Sequence, residues 1–254
     1  MKGSEVNMLE MLGYGQFAFL SATPFHSNHL LRHNAMPSAL PPIESLRDGI
    51  STLLTIIRKH QVQSWAQVTL NHRHTDLPPN HILATAKVDA LPALWTAPTS
   101  LTTLNLFDAY PSVLIIRSGS FAAVELRMGC APPSFEGKEQ FFEEFAACIC
   151  SRGWQDIFGL GIEEGWSQRI EFLSQAGNLL VEDQAVDKDK KAGSDFIYTR
   201  WAAGDEEQDK TGITACFVFP SGHVKVTDTR IRDPYSHWDS LERDGYFSSV
   251  KVAL

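Results

Sequence analysis

Short segments rich in valine, isoleucine, phenylalanine, tryptophan and threonine recur along most of this sequence, and turn residues separate them. Such segments predict β-strands, and they lie at residues 65–74, 82–88, 113–117, 121–128, 168–173, 179–182, 196–201, 213–219 and 224–228. Three connections are short and have turn chemistry, at residues 76–80, 175–178 and 220–222. Because a parallel crossover needs about a dozen residues, strands joined in this way are expected to pair antiparallel.

Two amphipathic helices are predicted to cover this sheet. After Pro41 and Pro42, apolar residues recur every three or four positions between residues 43 and 57, and a similar run occupies about residues 137–152. The prediction is therefore an α+β fold, in which an antiparallel sheet or incomplete barrel is covered by two or three helices. We expect residues 1–40 to form an N-terminal extension and residues 41–254 to form a single α+β domain.

The composition excludes several classes of protein. The 254 residues include 22 Lys and Arg against 30 Asp and Glu, a net charge of −8, which disfavours binding to a phosphate backbone. No segment has the apolar length of a signal-peptide core or of a membrane span. We expect a cytoplasmic protein with neither nucleic acid nor a membrane as partner, and with its cysteines (Cys130, Cys148, Cys150 and Cys216) reduced.

The histidines are the sequence feature with most chemical content, because seven of the nine precede residue 82. If residues 65–74 form one strand, His72 and His74 share a face with Ala66, Val68 and Leu70, which points both imidazoles toward the core. Imidazoles at positions i and i+2 of a strand lie roughly 7 Å apart at Cβ, so both can turn toward one ion or one substrate. His72 and His74 are therefore candidate acid/base groups and candidate metal ligands.

A site built on these two histidines needs a third group. Asp76 is the nearest candidate along the chain, and His223, directly after the turn at residues 220–222, is another if the C-terminal hairpin packs nearby. Three readings stay open at this point: histidines hydrogen-bonded at the rim of the core, an acid/base pair in a pocket, or a site for a divalent metal ion.

Other polar and glycine-rich patterns favour structural roles. On a helix, His26, His29 and His33 would share one face, which we expect to be exposed. Glu125 is expected to pair with Arg127 on an exposed strand face, and Glu163 to lie in a solvated loop. Residues 158–161 read as a glycine-containing turn, and the common nucleotide-binding and hydrolase motifs are absent from the sequence.

The order of these features resembles that of a group of uncharacterised proteins from filamentous fungi. The resemblance spans about residues 43–230 and rests on a helix, a strand ending in His72-Arg73-His74 with a proline turn, the segment at residues 153–161, and a late Gly222-His223 strand. The group has no established activity, so the resemblance implies that the histidine strand matters without naming a reaction.

Two functional hypotheses follow from the sequence. The first is a small-molecule enzyme, of a kind found in secondary metabolism, that holds a small apolar molecule in an aromatic-lined pocket. His72, His74, Asp76 and His223 would then carry proton-transfer chemistry such as cyclisation, isomerisation or dehydration, with or without a divalent metal ion. The second is a non-catalytic binding or interaction protein with an acidic surface, in which the histidines are structural.

Overall fold

Ten strands close into a barrel in the described part of the chain. The structure is a computed structural model, and it describes residues 33–37, 45–105, 108–117, 119–165, 167–192, 195–204, 212–218 and 233–247. The strands are β1 (Ala66–Leu70), β2 (His81–Lys87), β3 (Ala93–Ser100), β4 (Ala109–Arg117), β5 (Ser120–Met128), β6 (Phe158–Ile162), β7 (Arg169–Leu173), β8 (Asn178–Glu182), β9 (Asp195–Ala202) and β10 (Thr214–Val218). Around the barrel their order is β1-β6-β4-β5-β2-β3-β8-β7-β10-β9, and β9 pairs with β1 to close it.

The prediction of an antiparallel sheet or incomplete barrel is wrong in two respects. The pairing of β1 with β9 leaves no open edge, and two of the ten pairs, β2 with β5 and β7 with β10, are parallel. The short-turn argument applies only to strands that are neighbours in the chain. Each parallel pair instead joins strands that have two other strands between them in the sequence, and no local turn signals such a pairing.

Helices pack on the outside of this barrel. The two predicted helices are present as α1 (Arg47–Lys59) and α2 (Glu139–Ser151). Two further helices are α3 (Lys188–Ala192) and α4 (Pro234–Arg243). Helices α1 and α2 bury their apolar faces against β1, β4 and β6, and α4 packs over β7 and β8. None of the helices in the described ranges is long and apolar enough to cross a bilayer.

Strand alternation gives the barrel wall an apolar outer face and a mixed inner face, where polar groups lie beside a small apolar cluster on β4 and β5. On β1, Ala66, Val68 and Leu70 pack outward in the core shared with α1 and α2. Gln67 and Thr69 therefore face inward. The prediction that Ala66, Val68 and Leu70 face the core is confirmed, but His72 and His74, which were expected to share their face, lie beyond the end of the strand and line the interior cavity.

Strand β6 has glycine at each inward position, which corrects the prediction of a turn at residues 158–161. Phe158, Leu160 and Ile162 pack outward, whereas Gly159 and Gly161 lie opposite Thr69 and Gln67 on β1. A Cβ at Gly159 would lie 2.6 Å from both Asn71 Oδ1 and the backbone oxygen of Leu114. The missing side chains thus leave room for polar groups from the facing strands.

This packing predicts that Gly159→Ala destabilises the barrel more than Gly161→Ala. The new methyl group at residue 159 meets backbone, which cannot move aside, whereas at residue 161 its nearest contacts are 3.2–3.3 Å away, with the side chain of Gln67. We expect losses of about 3 and about 1 kcal/mol in the free energy of unfolding, respectively. Urea denaturation followed by circular dichroism measures both, and equal losses would contradict the proposed packing of β6.

Candidate metal centre

Four side chains with metal-binding atoms meet at one end of the barrel interior. His72 and His74 come from the loop after β1, Glu171 from the middle of β7 and Cys216 from β10. One nitrogen of each imidazole, one carboxylate oxygen and the sulfur all lie within 4.8 Å of one another. Glu171 and Cys216 are register partners in the parallel pair of β7 and β10, so the fold places them side by side.

The two histidines reach this cluster through a loop and not through strand alternation. Strand β1 ends at Leu70, and residues 71–73 have no regular secondary structure. The chain turns after Leu70, and the Nδ1 atom of His72 lies 3.0 Å from the Leu70 oxygen. The rings of His72 and His74 then meet edge to face, with centroids 4.7 Å apart. The two imidazoles are close together, as expected. The predicted cause, their alternation on one strand, is wrong, because both histidines lie in a loop.

The structure does not bring the expected third group to the histidines. The side chain of Asp76 is 69% exposed and forms an ion pair with Arg73, because the loop turns outward before it. His223 lies outside the described residues. Glu171 and Cys216 occupy the cluster instead. Glu171 could have been noticed in the sequence, because it is a carboxylate at the centre of the strand Arg169–Leu173. Nothing in the sequence indicates that this strand pairs with one more than forty residues later.

Three distances within the cluster match those between the ligands of one tetrahedral metal ion. Ligand atoms at about 2.0–2.3 Å from a zinc ion lie about 3.3–3.8 Å from one another. Cys216 Sγ is 3.5 Å from His72 Nε2 and 3.7 Å from His74 Nε2, and His74 Nε2 is 3.4 Å from Glu171 Oε2. The hydrogen bond from the Cys216 thiol to Glu171 Oε2 is shorter, at 2.8 Å, and a metal ion would replace its proton. The four atoms all lie within 4.8 Å of one another, so small movements would bring them around one ion.

Neighbouring groups orient the candidate ligands. When the Nδ1–H of His72 donates to the Leu70 oxygen, the lone pair of Nε2 points at the cluster. Asn178 Nδ2 donates to Glu171 Oε1 over 2.9 Å, which leaves Oε2 for the centre. Backbone carbonyls that hold the second nitrogen of a histidine, and hydrogen bonds that hold a carboxylate, are typical of metal sites.

Burial and charge act in opposite directions on the two acidic members. Burial by itself would raise the pKa of Glu171, but the positive charges of His74 and His72 and the hydrogen bonds from His74 and Cys216 hold it well below its ordinary value. Burial, together with the negative charge of Glu171 and the hydrogen bond to it, raises the pKa of the Cys216 thiol well above its ordinary value. A buried thiol held protonated is a poor nucleophile. A metal ion would reverse this, because coordination removes the thiol proton.

A cavity of about 70 Å³ adjoins the cluster. Among the described residues that line it, none is Phe, Tyr or Trp, and polar side chains such as Thr69, Asn71, Glu125 and Arg200 outnumber the apolar ones. The described part of the wall therefore lacks the expected aromatic lining, because strand alternation places Phe158 of β6 and Trp201 of β9 on the outer face.

His33 also lines this cavity and is buried, which corrects the expectation of an exposed histidine face. Residues 33–37 pack against the loop that carries His72 and His74: Leu77 N donates to Asn34 Oδ1, and Arg73 Nε donates to the Met36 oxygen. Burial lowers the pKa of His33 below its ordinary value, so its imidazole is neutral near pH 7. His26 and His29 lie outside the described residues.

Two further ion pairs occupy the inside of the barrel, and both correct expectations from the sequence. Glu163 is buried and accepts two hydrogen bonds of 2.8 Å from Arg169. Glu125 faces inward, where it accepts hydrogen bonds from Thr85 and Ser112 and lies 3.5 Å from Arg200. These carboxylates were expected on exposed surfaces, because closure of the barrel is not visible in local sequence patterns.

Comparisons of the chain with family models, with curated proteins and with solved structures found no match. The resemblance to proteins of filamentous fungi therefore stays a prediction. The fold and the cluster define the chain as a closed mixed barrel with a candidate metal centre at one end of its interior.

Proposed function

We propose that the protein binds one divalent metal ion, best matched by zinc, through His72, His74, Glu171 and Cys216. The observation that carries the proposal is the convergence of four ligand atoms from three distant segments, within 4.8 Å of one another. Two imidazoles, a carboxylate and a thiol are a donor set typical of zinc. The oriented His72 ring and the Asn178 contact to Glu171 add the supporting hydrogen bonds that such sites require.

We further propose that the metal ion serves proton-transfer chemistry on a small molecule in the adjoining cavity. When bound, a divalent ion would act as a Lewis acid that polarises a carbonyl oxygen, provided that this oxygen enters as a fifth ligand, an expansion known in catalytic zinc sites. His33 is the proton acceptor in this proposal, since it is neutral near pH 7 and lines the cavity without belonging to the metal cluster. Its Nδ1 atom lies 3.2 Å from Asn34 Oδ1. When Nδ1–H donates there, Nε2 keeps the free lone pair that accepts a proton.

The competing proposal is a non-catalytic protein in which the same four ligands form a structural metal site. Four protein ligands close the coordination shell of zinc, as they do in structural sites. The cavity beside the cluster, with a buried and neutral His33 in its wall, is the observation that favours the enzyme.

Metal titration tests the first part of the proposal. The metal-free protein is expected to take up one equivalent of zinc, and cobalt(II) is expected to give the absorption bands of a tetrahedral thiolate complex. The double variant His72→Ala/His74→Ala removes two ligands and is expected to weaken zinc binding at least about 100-fold. Equilibrium dialysis with elemental analysis measures the affinity.

Two further variants make this titration decisive. His81→Ala removes a partly exposed histidine outside the cluster, whose Nδ1 lies 2.8 Å from the Pro79 oxygen, and is expected to bind zinc as the wild type does. Cys216→Ser, which is nearly isosteric, is expected to weaken zinc binding and to abolish the thiolate band of cobalt even if the double variant folds poorly. Zinc binding that survives both ligand replacements, or a folded wild type that takes up no metal, would contradict the proposed centre.

Deuterium exchange tests the catalytic part. In D₂O, the zinc-loaded protein is expected to exchange the methyl protons of pyruvate, which are acidified by the neighbouring carbonyl, faster than buffer does. The variant His33→Gln is expected to lose this exchange about 100-fold, the typical contribution of one acid/base group, and to retain zinc. Proton NMR follows the methyl signal, and the lowered pKa of His33 predicts that the rate has already levelled off by pH 7.

The exchange experiment also separates the two classes of function. A zinc-loaded wild type that exchanges pyruvate no faster than buffer would favour the structural metal site. Exchange that continues unchanged in His33→Gln would remove His33 from the mechanism.

A further inference from the structure

An irregularity in the barrel wall directs Arg200 into the cavity beside the candidate metal centre. The register of β9 against β10 shifts by one residue, so that Thr214 pairs with Arg200 whereas Ala215 pairs with Tyr198. Such a bulge places two consecutive side chains on the same side of the strand. Thr199 and Arg200 both line the cavity, whereas Tyr198 is exposed on the outer face.

The ion pair between Arg200 and Glu125 is longer and has fewer hydrogen bonds than the ion pair between Arg169 and Glu163 in the same barrel. Arg169 donates to both oxygens of Glu163 over 2.8 Å and is not part of the cavity wall. Arg200 contacts Glu125 through Nη2 and Oε2 alone, over 3.5 Å. Buried arginine and carboxylate groups normally pair over about 2.7–2.9 Å, often with two parallel hydrogen bonds.

Glu125 is itself held away from Arg200 by other partners. Its Oε1 atom accepts hydrogen bonds from Thr85 over 2.8 Å and from Ser112 over 3.2 Å. Thr96 supports this arrangement through a 2.6 Å hydrogen bond between its hydroxyl group and that of Thr85. The guanidinium group of Arg200 therefore keeps hydrogen-bond donors that Glu125 does not use, and it presents them to the cavity.

Arg200 is also close to the metal cluster. It pairs across the barrel wall with Thr214, and Cys216 follows two positions later on the inner face of β10, about 7 Å along the strand. Burial by itself would lower the pKa of Arg200, but the negative charges of Glu125, Glu163 and Glu171 raise it above its ordinary value. A molecule that contacts the cluster and fills the cavity would thus reach the guanidinium group.

From this geometry we propose that the cavity binds a small carboxylate, held through its carboxylate group by the guanidinium of Arg200 while the rest of the molecule faces the metal cluster. This names the substrate class of the proposed function and rests on it. Arginine presents paired N–H donors that match a carboxylate. A cavity of about 70 Å³ holds about five waters or one molecule of a few heavy atoms. This proposed ligand differs from the small apolar molecule expected from the sequence.

Acetate and its neutral isostere acetamide are the probes that test this proposal. Acetate is expected to perturb the absorption of the cobalt(II)-loaded protein in a saturable way with a Kd of about 0.1–5 mM, a range that a ligand of four heavy atoms can reach. Acetamide is expected to bind at least about tenfold more weakly. The variant Arg200→Gln is expected to weaken acetate binding about 10–100-fold and to leave the affinity for cobalt unchanged.

Control variants separate the role of Arg200 from general effects of charge and folding. Arg169→Gln breaks the ion pair with Glu163 and is expected to lower the free energy of unfolding while leaving acetate binding unchanged. Because Arg200→Gln leaves Glu125 buried without a cation, the double variant Arg200→Gln/Glu125→Gln removes both charges and is expected to fold and to bind acetate as weakly as the single variant.

Failure of this proposal is distinguishable from failure of the metal centre. Cobalt binding with no saturable response to acetate, equal binding of acetate and acetamide, or equal acetate affinity in wild type and the Arg200 variants would overturn the carboxylate site alone. Should the protein take up no metal, broadening of the ¹³C signal of labelled acetate measures binding to the metal-free protein. Broadening that depends on Arg200 would support the site, and broadening that does not would overturn it.

Discussion

The parallel pairing of β7 with β10 is the constraint on which the candidate site depends. Its register sets Glu171 beside Cys216 inside a closed barrel, where a carboxylate is stable only with partners. The loop after β1 supplies them by turning His72 and His74 over the end of the barrel. A one-residue slip of β10 against β7 would turn Cys216 to the outer face and separate the four ligand atoms.

Ionisable groups can occupy part of the barrel interior because the larger hydrophobic clusters pack on the outer face of the wall. Helices α1 and α2 cover the outward side chains of β1, β4 and β6, so the hydrophobic core lies between the helices and the barrel wall. The inner face is left free for ionisable groups, and the glycines of β6 leave room for them. The apolar packing under the helices therefore supplies most of the stability, and the ionisable groups of the candidate site lie inside the barrel.

Local patterns in the sequence predict the elements of this fold better than their arrangement. The spacing of apolar residues predicts α1 and α2, because helix periodicity is a local property. The closure of the barrel depends on pairings between distant strands, so it cannot be read from a turn or a period. The same limit explains why Glu125 and Glu163 were assigned to exposed positions although both are directed into the barrel.

The site shows the same division between local and long-range information. The clustering of histidines singles out His72 and His74, and the structure places their rings in contact. Their partners could not be found in this way, because Glu171 and Cys216 meet them only through the closed topology. Asp76 was selected for its closeness along the chain, yet the turn that contains it points to solvent.

X-ray absorption spectroscopy of the zinc-loaded protein measures whether these four side chains bind one metal ion. We expect a four-coordinate zinc with one sulfur ligand at about 2.3 Å and three nitrogen or oxygen ligands at about 2.0–2.1 Å, with the multiple scattering of two imidazoles. A spectrum without a sulfur shell, or one with six oxygen ligands, would contradict this expectation.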